Sequence, residues 1–262
     1  MPGALSPTDI AKQAAARHAT GFVESGMKLG LGTGSTAVFM VHALGERIRT
    51  EGLQVTAVAT SSRTADLARE VGIPMVSLDE AKWLDMTIDG ADEVDPHLHL
   101  IKGGGAALLQ EKIVATASDR MIVIADAAKQ VAQLGAFPLP VEIVPFGWQT
   151  TKALIEELLV DLDVLNRDCV LRMSGEQPLL TDERNFIVDL RLQWIGNPRQ
   201  LALALNQIPG VVENGLFLDI CDTLVIGHPD GRVDVTHAEV GHTGLEDAQS
   251  FAASNIFADL ED

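Results

Sequence analysis

The sequence predicts an α/β protein: a Rossmann-like parallel-sheet domain with a second, smaller ferredoxin-like α+β domain. Short apolar runs alternate with helical periodicities through the first half of the chain, the pattern of parallel βαβ units. After residue 137 the order becomes β-α-β-β-α-β, which describes a small unit with an antiparallel pair. Four strands of the first half run straight into small, polar or charged residues. In an open parallel sheet, ligands bind beyond the carboxyl ends of the strands.

MKLGL (27–31) is the first predicted strand and STAVFMVHALGERI (35–48) the helix after it. VTAVA (55–59) is a second strand, and SRTADLAREVG (62–72) a helix closed by a glycine. WLDMTID (83–89) and MIVIAD (121–126) add two strands, with a helix after Gly105 between them. The four strand ends carry Gly32-Thr33-Gly34-Ser35-Thr36, Thr60-Ser61-Ser62, Asp89-Gly90-Ala91-Asp92, and Asp126 with Lys129. Beyond FPLPVEIVP (137–145), a strand at 141–144 precedes a helix at 149–160. DCVLRM (168–173), NFIVDLRL (185–192), a helix beginning near Pro198 and GVVENGLF (210–217) complete the small unit. CDTLVIG (221–227) returns to the first sheet as a buried strand. The expected division is 1–132 plus 209–262 for the large domain and 133–208 for the small one. The closing HAEVGHTGLEDAQSFAASNIFADLED is acidic and weakly periodic, a peripheral extension, and no internal repeat is found.

With 262 residues, 47% of them hydrophobic, the chain can bury a large core as one large or two modest domains. The net charge of −18 opposes a nucleic-acid partner, because phosphate backbones need Lys and Arg surfaces. An anionic substrate must therefore be held by a local site against the global field. No apolar run reaches a membrane span, and the N-terminus lacks the charged-then-apolar pattern of a secretory signal. Cys169 and Cys221 form neither a CxxC pair nor a disulfide framework, so the expected location is cytoplasmic.

In GLGTGSTA (30–37), Gly32, Gly34 and Ala37 match the G-x-G-x-x-G/A spacing of dinucleotide-binding folds. Glycines permit close backbone approach, and a helix N-terminus aims free N–H groups at an anion, which suits any phosphate. A dinucleotide site also wants an acid about 20 residues on, where this chain has Thr60-Ser61-Ser62, and no GK[ST] supports a P-loop. A tight turn with Ser35 or Thr36 as N-cap would need no ligand. The hydroxyls of Thr33, Ser35 and Thr36 favour a phosphate site over that turn, and dinucleotide binding ranks third.

DGAD (89–92) ends a strand with two acids around a small turn. In isolation it would be a capped turn with a solvated Asp89; at a site edge it suits sugar hydroxyls. His97 and His99 are assigned structural places and no metal is expected. On the helix after Gly105, at roughly 100° per residue, Glu111 projects between Val114 on one side and Leu108 with Ala115 on the other. Leu109, Ile113 and Ala117 take much of the opposite side, so little polar face remains and the helix is expected in the core. Burial would raise the Glu111 pKa toward neutrality, where a general base works best. An internal salt bridge to another segment is the alternative. Lys102 precedes three glycines that would bring it close to a bound group; Lys129 and Lys12 are weaker anion-binding candidates.

The blocks GLGTGSTA, TSSRTADLA, DGADEVD, LIKGGGAALLQEKIVA, IADAAKQVAQLGAFPLPVEIVP and IPGVVENGLF span residues 30 to about 217 in order. Through them the sequence resembles ribose-5-phosphate isomerase of the A type. The resemblance implies interconversion of D-ribose 5-phosphate and D-ribulose 5-phosphate through an enediolate, in the non-oxidative pentose phosphate pathway. It implies no metal or organic cofactor, and a homodimer or homotetramer acting on a small-molecule sugar phosphate. By the same resemblance, Glu111 is the general base between C1 and C2, and Lys102 stabilises the enediolate oxygen. Asp89 and Asp92 bind hydroxyls and assist ring opening and proton movement between oxygens. Thr33, Gly34, Ser35 and Thr36 hold the phosphate with Lys12 in reach. Gly90, Ala91, Gly103, Gly104, Gly105 and Lys129 complete substrate binding.

Two departures stand out. The family's TDNGN block here reads TDERN (181–185); Glu183 and Arg184 suit a positive-φ hairpin poorly, so a different turn is expected, in the small domain and without consequence for the active-site assignment. The chain beyond His228 has no assigned counterpart. One rival reading, a sugar-phosphate-sensing domain of a transcription regulator, needs a DNA-binding helix-turn-helix, for which the 29 residues before Gly30 leave little room. Another, an acyl-CoA transferase-like enzyme with Glu111 as nucleophile, explains Lys102 and Lys129 less well than an enediolate does.

Overall fold

The computed structural model describes residues 5–238. Helix α1 (Pro7–Thr20) is capped by Ser6, whose hydroxyl accepts from the Asp9 N–H at 3.1 Å. There follow β1 (Lys28–Leu31), α2 (Ser35–Glu51), β2 (Thr56–Ala59), α3 (Ser62–Glu70), β3 (Met86–Gly90), α4 (Leu108–Thr116) and β4 (Met121–Asp126). The chain then forms β5 (Leu139–Ile143), α5 (Trp148–Leu158), β6 (Asp168–Leu171), β7 (Phe186–Arg191), α6 (Pro198–Leu205) and β8 (Val211–Asn214). It closes with β9 (Thr223–Gly227) and β10 (Val233–His237).

The large sheet has the order β10-β9-β4-β3-β1-β2, and every pairing is parallel except β10 with β9. Strand β4 explains why the arrangement is stable. All six of its residues are buried, as expected of a parallel strand covered on both faces. Ile122 and Ile124 pack toward Ala15, Ala16, Met40 and Leu44 of α1 and α2, while Met121, Val123 and Ala125 pack with Ala115 and Phe217 on the other side. The order of strand addition switches sides at β1, since β2 follows on one side of it and β3 on the other. Ligand crevices of open α/β sheets form at such a switch point.

Helix α1 reaches the sheet because its inner face is alanine, with Ala11, Ala15, Ala16 and Ala19 all buried. It lies so close to β9 that a Cβ on Gly227 would collide with the Ala11 carbonyl.

The smaller sheet has the order β8-β5-β7-β6, with every pairing antiparallel. Leu139, Val141, Ile143, Val188 and Leu190 of this sheet pack against Ile155 of α5 and Leu201 and Leu205 of α6. On the opposite face of β5, Glu142 is fully buried and accepts from Thr181 Oγ1 at 2.9 Å and Asn185 Nδ2 at 3.0 Å.

Two expectations need correction. The strand order places 210–217 in the small unit while the domain division gives the residues from 209 to the large one; β8 pairs with β5, so it is the boundary that moves. The segment 210–217 is in fact two strands. After Gly215, Leu216–Phe217 pairs with Leu100–Ile101 in a separate three-stranded sheet. Asn214-Gly215 marks the break, but the partner that each half takes lies far away in the chain. Likewise β10 was missed: it is a short edge strand in which only Val233 and Val235 alternate with the exposed Asp234 and Thr236, too brief a signal to read. Most of the tail assigned as a peripheral extension lies outside the described residues. No helix among the described residues is long and apolar enough to cross a membrane.

Gly227→Ala should push α1 off the sheet and destabilise the fold by roughly 1–3 kcal/mol, the usual cost of overpacking. Urea unfolding measures it; an unchanged midpoint would show that α1 has room to spare.

Candidate active site

Strand β3 delivers Asp89 to the switch point. Its carboxylate is wholly buried: Oδ1 accepts from the backbone N–H of Thr33 at 3.0 Å and of Gly90 at 2.7 Å. Gly32 makes the space, because a Cβ there would collide with Asp89 Oδ1. The first glycine of the loop thus serves a carboxylate of the protein itself.

Lys102 follows the strand Leu100–Ile101 and is only 2% exposed. Its Nζ donates to the Gly90 carbonyl at 2.6 Å, and stands 2.9 Å from Asp89 Oδ2 and 3.4 Å from Glu111 Oε2. Burial works against the ammonium, but Asp89 and Glu111 outweigh it and hold its pKa above the usual lysine range. The Phe217 ring lies 5.4 Å beneath.

Glu111 sits in the first turn of α4 and is 2% exposed, with Oε2 free of hydrogen bonds. Burial and the neighbouring Asp89 charge push its pKa up to about 8, against the pull of Lys102. The position near a helix N-terminus would favour the anion, but desolvation wins. Burial also raises the Asp89 pKa, with Lys102 opposing. Two carboxylates share one ammonium out of water, so the cluster favours retaining a proton.

Asp92 is tied to the glycine loop: its Oδ2 accepts from the Gly104 N–H at 2.7 Å. The loop holds two residues in the left-handed region, Gly103 at φ 104° and Ala106 at φ 61°. For Ala106 that conformation costs about 1–2 kcal/mol. Gly105 faces Thr33 and the guanidinium of Arg63. Arg63 was missed in the sequence; it is exposed at the mouth and makes no salt bridge among the described residues.

In the Gly32–Thr36 loop, Gly34 is the N-cap of α2, at φ 125°, and no side chain caps the helix. The first amides of a 17-residue helix are therefore open to an anion. Lys12 Nζ donates to Ser35 Oγ at 2.9 Å, which places a cation beside them. Thr33 differs from expectation. Its hydroxyl is turned inward among Thr60 (2.8 Å), Ser61 (2.7 Å) and Thr64 (3.1 Å), so of the three expected hydroxyls Ser35 and Thr36 remain for a ligand. Lys129 Nζ lies 5.8 Å from the Phe137 ring. His99 lies between Asp95 (3.4 Å) and Asp219 (3.5 Å), acids the sequence reading had not placed beside it.

The TDERN turn lies in the smaller domain and reaches α3 and α4 of the larger one. It closes with Arg184 N–H on the Thr181 carbonyl at 3.0 Å, and Arg184, unlike Glu183, takes a positive φ of 67°. Asp182 accepts from Ser62 N–H at 2.7 Å and Ser62 Oγ at 3.0 Å, at the start of α3, while Glu183 bonds Gln110 of α4. A groove of about 680 Å³ runs beside this contact, lined by Val58, Ser62, Met75, Ile113 and Asp182; it adjoins the buried cluster but does not contain it.

Residues 56–231 match the family model of ribose 5-phosphate isomerase A (phosphoriboisomerase A). The ribose-5-phosphate isomerase A of Cereibacter sphaeroides is 70% identical over 260 residues, 99% of each chain. That of Ruegeria pomeroyi is 63% identical over 265 residues, covering 100% of both chains. A solved ribose 5-phosphate isomerase A from Methanocaldococcus jannaschii superposes with a TM-score of 0.80 at 38% identity, over 87% of this chain and 98% of that one. A D-ribose-5-phosphate isomerase in complex with phospho-erythronic acid gives 0.82 at 40% identity, over 88% and 99%.

The raised Glu111 pKa has a consequence for stability. Between the ordinary glutamate range and about 8, the folded protein holds a proton that the unfolded chain has released, so stability falls as pH rises through that window. Glu111→Gln cannot titrate and leaves Lys102 paired with Asp89. Urea unfolding across the window should show a shallower fall for the variant; parallel curves would contradict the burial argument.

Proposed function

This chain belongs to the ribose 5-phosphate isomerase A family, and we propose that its reaction, interconversion of D-ribose 5-phosphate and D-ribulose 5-phosphate, runs on the buried cluster of Asp89, Lys102 and Glu111. The observation that carries this reading is Glu111 itself: a desolvated carboxylate beside an ammonium. Aldose–ketose isomerisation moves one carbon-bound proton between C2 and C1. In the aldose-to-ketose direction the Glu111 carboxylate takes the C2 proton. The freed electron pair forms the C1=C2 double bond, and charge passes to the carbonyl oxygen. Returning the same proton to C1 completes the turn, with a second proton passing between the two oxygens.

Lys102 is suited to the developing oxyanion, because its ammonium is fixed on Gly90, Asp89 and Glu111 before substrate arrives. A preoriented donor in a dry site stabilises such charge better than water does. Asp89 and Asp92 bind the sugar hydroxyls and assist ring opening. The phosphate rests on the α2 amides with Ser35, Thr36 and Lys12, and that remote grip holds the reacting carbons in place. One solved relative is in complex with phospho-erythronic acid; an anion cradle at one end and a buried ammonium at the other suit an acid of that kind. Family resemblance supports a homodimer or homotetramer, and the free, buried Cys169 and Cys221 support a reducing cytoplasm.

The purified chain should convert ribose 5-phosphate to the ketose, with kcat/KM rising with pH along a limb centred at about 8 as Glu111 ionises. Glu111→Gln should lower kcat by about 10²–10⁴-fold, the usual worth of a general base, while substrate binding measured by calorimetry stays near wild type. An inactive wild type or a near-normal variant would sink the assignment.

A further inference from the structure

The glycine loop is gripped from the smaller sheet by Arg172, a residue that the mechanism above does not use. Arg172 follows β6 directly. Its Nε donates to Asp189 Oδ2 at 2.8 Å and its Nη2 to Oδ1 of the same carboxylate, on β7. Nη1 donates to the Gly103 carbonyl at 2.8 Å and the Gly104 carbonyl at 3.3 Å. All three guanidinium nitrogens are engaged and Asp189 neutralises the charge, so Arg172 is a clamp on backbone and not an anion site.

The loop it holds has little of its own to keep its shape. Gly103 and Ala106 both sit at positive φ, and one turn hydrogen bond, Ala106 N–H to Gly103 carbonyl at 3.0 Å, joins them. Yet both flanks carry chemistry. Lys102 immediately precedes Gly103, and the Gly104 N–H holds the Asp92 carboxylate at 2.7 Å. Tilting the Gly103–Gly104 peptide would shift the Lys102 stem and release Asp92 together.

We propose that Arg172 is a positioning residue for the isomerisation: it fixes the Gly103–Gly104 peptide so that Lys102 and Asp92 meet the substrate oxygens in register. This rests on the functional reading above. Only a planar fork can hold a carboxylate along one edge and two carbonyls along another; a lysine presents a single point of charge. Arg172→Lys therefore loses the clamp while keeping the charge beside Asp189.

The experiment compares wild type, Arg172→Lys, Arg172→Ala and Asp189→Asn by steady-state kinetics on ribose 5-phosphate, thermal unfolding, and amide hydrogen exchange at residues 103–106 without substrate. In Arg172→Lys, kcat should fall by about 10–100-fold, the scale of a small misplacement of reacting groups, with KM little changed and Gly104 exchanging faster. Asp189→Asn should give a smaller fall in the same direction. Added guanidinium should restore part of kcat in Arg172→Ala and none in Arg172→Lys, whose ammonium still fills the site. A folded Arg172→Lys with wild-type kcat, or a loss of kcat without faster Gly104 exchange, overturns the proposal; if Arg172→Ala does not fold, Arg172→Lys and Asp189→Asn decide alone. A wild type without turnover rejects the isomerase reading, whereas exchange at Gly104 needs no substrate and still reports on the clamp.

Discussion

A single ammonium, Lys102 Nζ, stands 2.9 Å from the Asp89 carboxylate and 3.4 Å from that of Glu111, and all three side chains are out of water. Removing one partner from a buried ion pair typically costs about 3–5 kcal/mol, because a charge is left uncompensated. Here the balance is uneven from the start, two negatives to one positive. The excess is relieved by retaining a proton, because burial raises the pKa of both carboxylates, that of Glu111 to about 8. The imbalance that makes the cluster expensive to fold is also what suits Glu111 to the proton transfer proposed for it. Much of the surrounding design serves it: Gly32 opens space for Asp89, the Thr33 and Gly90 amides hold Oδ1, and the Gly90 carbonyl holds Lys102.

The two sheets divide the work. The large one supplies strand ends at its switch point, carrying Asp89, the α2 amides and, through α1, Lys12. The smaller one contributes bracing that reaches across: Asp182 on the first residue of α3, Glu183 on α4, and Arg172 on the glycine loop. Gly215, whose amide donates to Pro140 at 2.8 Å and whose carbonyl receives the Lys102 N–H at 2.9 Å, is the hinge between them. The lysine of the cluster is thus pinned at its backbone by the very segment that leaves the smaller sheet.

What could be read from the sequence follows from which interactions are local. MIVIA is apolar because both faces are covered, and Asp126 closes the run, so β4 is legible to the residue. Glu111 was legible because helical geometry alone surrounds it with Leu108, Val114 and Ala115, all of which the fold buries. The misses are non-local. Glu213-Asn214-Gly215 interrupts GVVENGLF, but which sheet each half joins depends on Leu139–Ile143 and Leu100–Ile101 elsewhere in the chain, and β10 offers only two alternating valines at a sheet edge. The inward turn of the Thr33 hydroxyl depends on Thr60, Ser61 and Thr64 arriving from another strand end. Arg172 and Asp182 are ordinary polar residues until the small sheet carries them 69 and 120 positions across the chain to their partners.

The acidic surface sharpens the question of how an anionic sugar phosphate is held by a chain of net charge −18. At physiological salt, exposed charges are screened beyond about 8 Å, so the global field weighs little once the substrate is in the crevice. What decides binding is the set of donors within contact distance, and these are cationic or dipolar: Lys12, the uncapped amides of α2, Arg63 at the mouth and Lys102 within. None of the first three is neutralised by a carboxylate among the described ion pairs, although acids outnumber bases 37 to 19 along the chain. Leaving those donors uncompensated gives the crevice a local positive hollow that can receive an anion on an otherwise acidic chain.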